Sequence, residues 1–133
     1  MAPEARDDRV ECEGGCHCGR VRFRVSLPGT VEVFRCNCSI CRMTGYAHLF
    51  VPRERFHLLR GRDELTSYRF NTEQAEHLFC RRCGIKSFYV QRSHPEAFSV
   101  HLDCLELPDA VNVTIRAFDG ANWERNIARL RDR

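Results

Sequence analysis

The chain predicts a mainly β domain: antiparallel sheets with metal-pinned connections, plus one short helix near the C-terminus. Three observations carry this. Apolar and polar residues alternate with a period of two through most of the chain, as in half-buried strands. Seven of nine cysteines gather in three tight clusters, at 16–18, 36–41 and 80–83. Helical spacing of apolar residues is confined to the stretch that begins at about Asn122.

Taken in order, Val21, Phe23, Val25 and Leu27 alternate with Arg20, Arg22, Arg24 and Ser26, and Pro28-Gly29 ends that strand with turn chemistry. Val31–Arg35 is a second short strand that leads into the three-cysteine cluster. A third runs from Ala47 to Val51 and is closed by Pro52. Phe56–Leu59 and Leu65–Phe70 follow, separated by the turn Arg60-Gly61-Arg62-Asp63. Glu76–Phe79 enters the last cysteine pair and Ile85–Val90 leaves it, which predicts a hairpin pinned at its knuckle. Phe98–Leu102 and the alternating Val111, Val113, Ile115 and Ala117 complete the strands. Asn122 is an N-cap for a helix carrying Trp123, Ile127 and Leu130 on one face. Phe34, Phe56, Phe79, Phe88 and Phe98 are assigned to the core. Tyr46 and Phe50 are assigned to core or sheet-face packing, with a pocket wall as the alternative.

At 133 residues, 43% hydrophobic and 29% charged, the chain reads as one globular domain. The expected division is a flexible N-terminus over 1–12, a metal-binding domain over 13–128 and a tail over 129–133. No run approaches the roughly 18 apolar residues of a membrane span. The N-terminus is polar and of mixed charge, without a secretory or transit pattern. A reducing cytoplasm is therefore the expected compartment, where clustered thiols serve metal or catalysis more than disulfides. The formal charge of +3 falls to zero once seven thiolates and two divalent ions are counted. Arg125, Arg129, Arg131 and Arg133 are interleaved with Glu124 and Asp132, a solvated face. A nucleic-acid partner is not expected.

A cysteine pair at i, i+2 or i, i+3 cannot readily close a disulfide on itself, yet it presents two thiolates to one ion. Seven clustered thiols divide into four and three. One partition closes Cys16, Cys18, Cys80 and Cys83 around one metal and leaves Cys36, Cys38 and Cys41 with a vacant position. Another adds Cys104 or Cys12 to the trio and makes both centres structural. The first has chain geometry on its side: two separate pairs clamp distant segments, whereas three thiolates within six residues form a local cup. On this reading Cys12 and Cys104 are spare thiols. Zinc is favoured over an iron–sulfur cluster, whose familiar spacings are absent.

Gly15-Cys16-His17-Cys18-Gly19, Cys36-Asn37-Cys38-Ser39-Ile40-Cys41 and His77-Leu78-Phe79-Cys80-Arg81-Arg82-Cys83-Gly84, with Phe88-Tyr89, resemble the glutathione-dependent formaldehyde-activating family over roughly Gly14 to Ala128. Phe70-Asn71-Thr72, Ser87-Phe88-Tyr89, Phe118-Asp119-Gly120 and Asn122-Trp123-Glu124 look most like its centromere protein V branch. The resemblance implies a β-tent fold with two zinc ions per chain. The structural ion falls on Cys16, Cys18, Cys80 and Cys83, and the catalytic ion on Cys36, Cys38 and Cys41. It further implies a carbon–sulfur lyase resembling S-(hydroxymethyl)glutathione synthase, joining glutathione to formaldehyde or a related small aldehyde. The alternative is a non-catalytic, zinc-stapled binding protein of the centromere protein V type.

Around these centres, His77 and His48 are candidate hydrogen-bond or proton-transfer partners of the open site, against a structural role for each. His17, between two ligands, is expected to point away from the metal. Ser39 is placed to hydrogen-bond a thiolate. Arg42, Arg53, Arg81, Arg82 and Arg92 are candidates for the glutathione carboxylates, against simple solvation.

Overall fold

A computed structural model describes residues 9–69, 76–90 and 97–118. It is mainly β, as expected. The strands are β1 (Val10–Gly15), β2 (Arg22–Leu27), β3 (Thr30–Cys36), β4 (Ala47–Pro52), β5 (Phe56–Arg60), β6 (Leu65–Tyr68), β7 (His77–Cys80), β8 (Phe88–Tyr89), β9 (Ala97–His101) and β10 (Asn112–Phe118). One six-residue helix, α1 (Ser39–Thr44), lies between β3 and β4. The helix expected from Asn122 and the proposed tail fall outside the described residues.

Among the described residues three sheets form, ordered β1-β2-β5, β10-β3-β4-β9-β8 and β6-β7. Alternation is what closes the first. Val21, Phe23, Val25 and Leu27 are buried, while Arg24 stays exposed. Ser26 departs from the pattern: it is buried, and the Arg9 guanidinium donates to its hydroxyl at 2.9 Å and to its carbonyl at 2.6 Å. A buried hydroxyl needs such a partner. Phe56 stacks on Phe23 at 5.0 Å, meets Phe98 at 4.4 Å and Phe88 at 4.8 Å, and so ties the first sheet to the second.

Several expectations are corrected. Val10, Glu11 and Cys12, placed in a flexible N-terminus, instead pair with Leu27, Ser26 and Val25 as the start of β1. Cys12 is buried there, and the strand hydrogen bonds fix its backbone. The sheets are not all antiparallel, because β10 runs parallel to β3 from Asn112↔Thr30 to Phe118↔Cys36. These strands are joined by a long crossover, not a tight turn, so nothing local forces them to oppose each other. Ile85–Val90 contributes only the two-residue β8, since Gly84–Ser87 is spent on leaving the cysteine knuckle. Phe79 is half-buried: it pairs with exposed Thr66 in the thinly covered β6-β7 sheet. Val111 is buried, but Val113 and Ile115 are exposed, so the alternation there does not mark a core face.

Candidate metal centres

All nine cysteines are free thiols, and seven fall into two groups. The sulfurs of Cys16, Cys18, Cys80 and Cys83 lie within 4.8 Å of one another, as do those of Cys36, Cys38 and Cys41. Each group can hold a metal ion. Cys12 and Cys104 join neither among the described residues. Burial raises both their thiol pKa values, Cys104 to about 11, which keeps them protonated.

The four-sulfur group is made by two knuckles of similar construction. In the first, Gly19 N–H donates to the Cys16 carbonyl at 3.2 Å and Val21 N–H to the Cys16 sulfur at 3.3 Å. In the second, Gly84 N–H donates to the Cys80 carbonyl at 2.8 Å and Arg82 N–H to the Cys80 sulfur at 3.4 Å. Both turns close on a glycine in the left-handed region, with φ of 81° at Gly19 and 80° at Gly84, where a Cβ would be strained. Cys16 follows β1 and Cys80 ends β7, so the group joins the first sheet to the third. Cys16–Cys18 and Cys18–Cys80 sulfurs are 3.6 and 3.7 Å apart. The Arg20 backbone N–H holds the Cys18 thiol down to about 6, while burial pushes Cys16 up to about 11. His17, between Cys16 and Cys18, is exposed.

Cys36 ends β3, Cys38 caps α1 and Cys41 lies on its buried side. Nothing in six residues announces this helix, since Cys41 is its only buried residue. It forms because the i, i+3 spacing turns Cys38 and Cys41 to one side and Gly45 ends it, with Tyr46 N–H donating to the Cys41 carbonyl at 3.1 Å. The hydrogen bonds from Cys36 and Cys41 pull the Cys38 thiol far below its usual range, while those two thiols, sharing protons with it, are raised. Three crowded sulfurs cannot all ionise without a compensating cation, which is the condition a divalent metal meets. Among the described residues, no fourth cysteine, histidine or carboxylate atom lies within 4.8 Å of all three sulfurs.

His48, from β4, approaches Cys41 with Nε2 2.9 Å from the sulfur. Its Nδ1 lies 2.9 Å from the Ser99 hydroxyl and 3.3 Å from the Tyr89 hydroxyl. Burial depresses its pKa to about 3, so the ring is neutral. In the tautomer that carries its proton on Nε2, Nδ1 accepts from the Ser99 hydroxyl and Nε2–H donates to the Cys41 sulfur. That contact holds Cys41 in place and spreads its charge. His48→Leu is expected to weaken metal binding at the trio about 10- to 100-fold, measured by chelator competition, while the four-cysteine group keeps its affinity.

His77 is buried and stacks on Tyr89 at 4.7 Å; its Nδ1 accepts from the Lys86 ammonium at 2.7 Å. Tyr46 is buried too, donating to the Ser99 carbonyl at 2.8 Å. Phe50 is half-buried and packs on Phe34 at 5.5 Å. Ser39 is exposed and forms no hydrogen bond to a sulfur of the described residues, because the first turn of α1 points it outward. Arg81 and Arg82 both donate to Glu64, at 3.0 and 3.1 Å, and Arg53 lies 4.8 Å over the Phe98 ring. Arg42 is exposed on α1 beside Cys41 and makes no ion pair with a described residue. Arg92 is outside the described residues. An open cleft lined by Cys18, Arg20, Arg60, Arg62 and Glu64 borders the four-sulfur group, and none of the trio lines it. No described helix is long and apolar enough to cross a membrane.

Sequence reasoning missed Lys86, Ser99, Tyr89 and His101, which packs on Tyr46 at 4.6 Å. Two signals were available: Lys86 is the sole lysine of an arginine-rich chain, and Tyr89 lies in the Ser87-Phe88-Tyr89 motif.

Comparison with known proteins follows the same residues. The family model described as "Glutathione-dependent formaldehyde-activating enzyme" matches residues 11–120. A protein of Halomonas elongata provisionally named a glutathione-dependent formaldehyde-activating enzyme is 31% identical, covering 91% of this chain and 84% of the relative. The crystal structure of a Rhodobacter sphaeroides protein superposes with a TM-score of 0.67 at 37% identity, over 77% of this chain and 99% of that one.

Proposed function

The chain belongs to the glutathione-dependent formaldehyde-activating family, and from that premise we propose that it joins a thiol such as glutathione to formaldehyde or a related small aldehyde at the three-cysteine centre. The observation that carries this reading is the unequal division of sulfurs, four in one group and three in the other, with no fourth donor among the described residues within 4.8 Å of all three sulfurs of the trio. Four thiolates saturate a tetrahedral ion and leave a structural site; three leave a position for substrate.

Zinc is the ion proposed for both sets, whose all-thiol donors suit it. A tetrahedral zinc with Zn–S bonds of about 2.3 Å holds its sulfurs about 3.8 Å apart. The 3.6 and 3.7 Å separations at Cys18 match that spacing without rearrangement. When bound at the trio, zinc stabilises a thiolate and polarises an aldehyde oxygen as a Lewis acid, without redox side reactions.

The reaction forms one carbon–sulfur bond. The thiol sulfur attacks the aldehyde carbon, the carbonyl π pair moves to oxygen, and the proton lost by the thiol ends on that oxygen, giving S-(hydroxymethyl)glutathione. Run backwards it is the cleavage of a carbon–sulfur lyase. Thiols add to formaldehyde unaided, so the protein contributes thiolate stabilisation and proximity. Cys36, Cys38 and Cys41 provide the cup, and His48 fixes Cys41 through its Nε2 contact. Nine free thiols suit a reducing compartment, and cytoplasm is the compartment proposed.

Arg42 is the arginine proposed to take a glutathione carboxylate, being next to Cys41 and exposed. Loss of one charge-assisted hydrogen bond predicts that Arg42→Ala raises KM for glutathione about tenfold while kcat stays within about twofold. Steady-state kinetics over a range of glutathione concentrations reads both.

The reading is tested by exchange NMR between glutathione and its formaldehyde adduct. The two-zinc protein is expected to speed exchange above the spontaneous rate in proportion to its concentration. A protein carrying two zincs that leaves the spontaneous rate unchanged contradicts the enzyme assignment and favours the zinc-stapled binding protein.

A further inference from the structure

We propose that Lys86 is a positioning residue whose buried charge makes the three-cysteine centre prefer an anionic incoming ligand over a neutral one. The proposal deepens the function above and rests on the trio being the reactive centre.

Lys86 is 8% exposed, yet no carboxylate among the described residues lies within ion-pair distance. A buried ammonium is not tolerated without compensation. Its near contacts are neutral: the His77 Nδ1 at 2.7 Å, the Tyr89 ring face at 3.7 Å and the Tyr46 ring face at 4.8 Å. Ring quadrupoles attract the cation but carry no net charge. Both rings pack on His48, at 5.7 Å from Tyr89 and 4.7 Å from Tyr46, and His48 Nε2 lies 2.9 Å from the Cys41 sulfur, so a chain of direct contacts links the ammonium to the trio. Burial lowers the lysine pKa, and the trio's thiols raise it against that.

The position is built, not incidental. Lys86 follows the second knuckle, where Cys80 N–H donates to the Ile85 carbonyl at 3.1 Å. On its other side, His101 N–H donates to the Ser87 carbonyl at 2.9 Å. The four-cysteine knuckle and β9 therefore grip the backbone on both sides of the lysine. The group proposed to hold the fold thereby also anchors the segment that carries the cation.

Charge balance gives that cation a purpose. Three thiolates around a divalent ion carry a net charge of minus one, and an arriving thiolate makes it minus two. In a partly dry site a fixed positive neighbour offsets the second charge, whereas a neutral ligand gains nothing from it. His77, accepting from Lys86 and stacked on Tyr89, holds the ammonium in place.

The test uses the cobalt-substituted full chain and reads visible absorption while azide, a fixed anion, or imidazole, a neutral donor, is titrated. Wild type is expected to bind azide at least as tightly as imidazole. Lys86→Met is expected to lose azide affinity roughly tenfold to hundredfold with imidazole affinity changed less than about twofold. Lys86→Arg, which keeps the charge, is expected to recover most of the azide affinity. Equal loss of both ligands in Lys86→Met, or a Lys86→Arg variant as poor for azide as Lys86→Met, overturns the proposal. Should neither variant fold, wild type still decides: imidazole binding without azide binding overturns it. Wild type that binds neither ligand overturns the open-site reading as well.

Discussion

Cys80→Ser is expected to cost the chain its cooperative fold. Cys80 is fully buried at the end of β7, and its sulfur receives the Arg82 N–H and sits 3.7 Å from Cys18. Removing it takes one of four ligands from an ion proposed to tie the first sheet to the third. Metal binding at such sites is worth on the order of 10 kcal/mol of folding free energy, comparable with the total stability of a small domain, about 5–15 kcal/mol. The serine hydroxyl would also be left in a buried position shaped for a thiolate. The variant is expected to purify with at most about one zinc per chain and to show no cooperative thermal transition by near-ultraviolet circular dichroism. A variant that melts within a few degrees of wild type would deny the four-sulfur group its structural role.

Cys38→Ser is expected to do the reverse, abolishing activity while sparing the fold. Cys38 is half-buried at the head of α1, a six-residue helix whose only buried member is Cys41. Few core contacts depend on it, so the melting temperature should move by no more than a few degrees, as for a change of about 1 kcal/mol. Its thiol is the member of the trio most easily ionised, held down by hydrogen bonds from Cys36 and Cys41. Without it two thiolates remain, and zinc should fall from two ions per chain to one. Exchange between glutathione and its formaldehyde adduct should return to the spontaneous rate, a loss of at least about a hundredfold in kcat/KM. Retained acceleration in a one-zinc protein would move the chemistry elsewhere. The two variants together separate the roles, since each predicts the outcome the other excludes.

Much of this was legible because local spacing and global fold agree. Phe23, Val25 and Leu27 alternate in the sequence and are buried in β2; Ala47–Val51, ended by Pro52, is β4. Each knuckle places its cysteines two or three residues apart and closes on a glycine, so its geometry is local and its sequence reports it. What could not be read depends on pairing across the chain. Helix α1 is too short for a 3.6-residue period to show, and a single buried residue defines no face. The parallel course of β10 is set by a long crossover with no turn signal. The network behind the trio exists because β9 lies between β4 and β8. That order puts Ser99 opposite Phe50 and Tyr89, and brings His48, Tyr89 and Ser99 together. None of these side chains is near another in sequence. Lys86 was visible as a lone lysine, but its burial and its missing carboxylate partner are tertiary facts.

Anomalous diffraction at the zinc edge, on crystals of the untagged full chain soaked with glutathione, tests the central claim most directly. Two peaks are expected. One should lie about 2.3 Å from the sulfurs of Cys16, Cys18, Cys80 and Cys83; the other should lie at that distance from Cys36, Cys38 and Cys41, with its remaining position filled by solvent or the added thiol. A protein side chain occupying that fourth position, or a single ion in the molecule, would contradict the account.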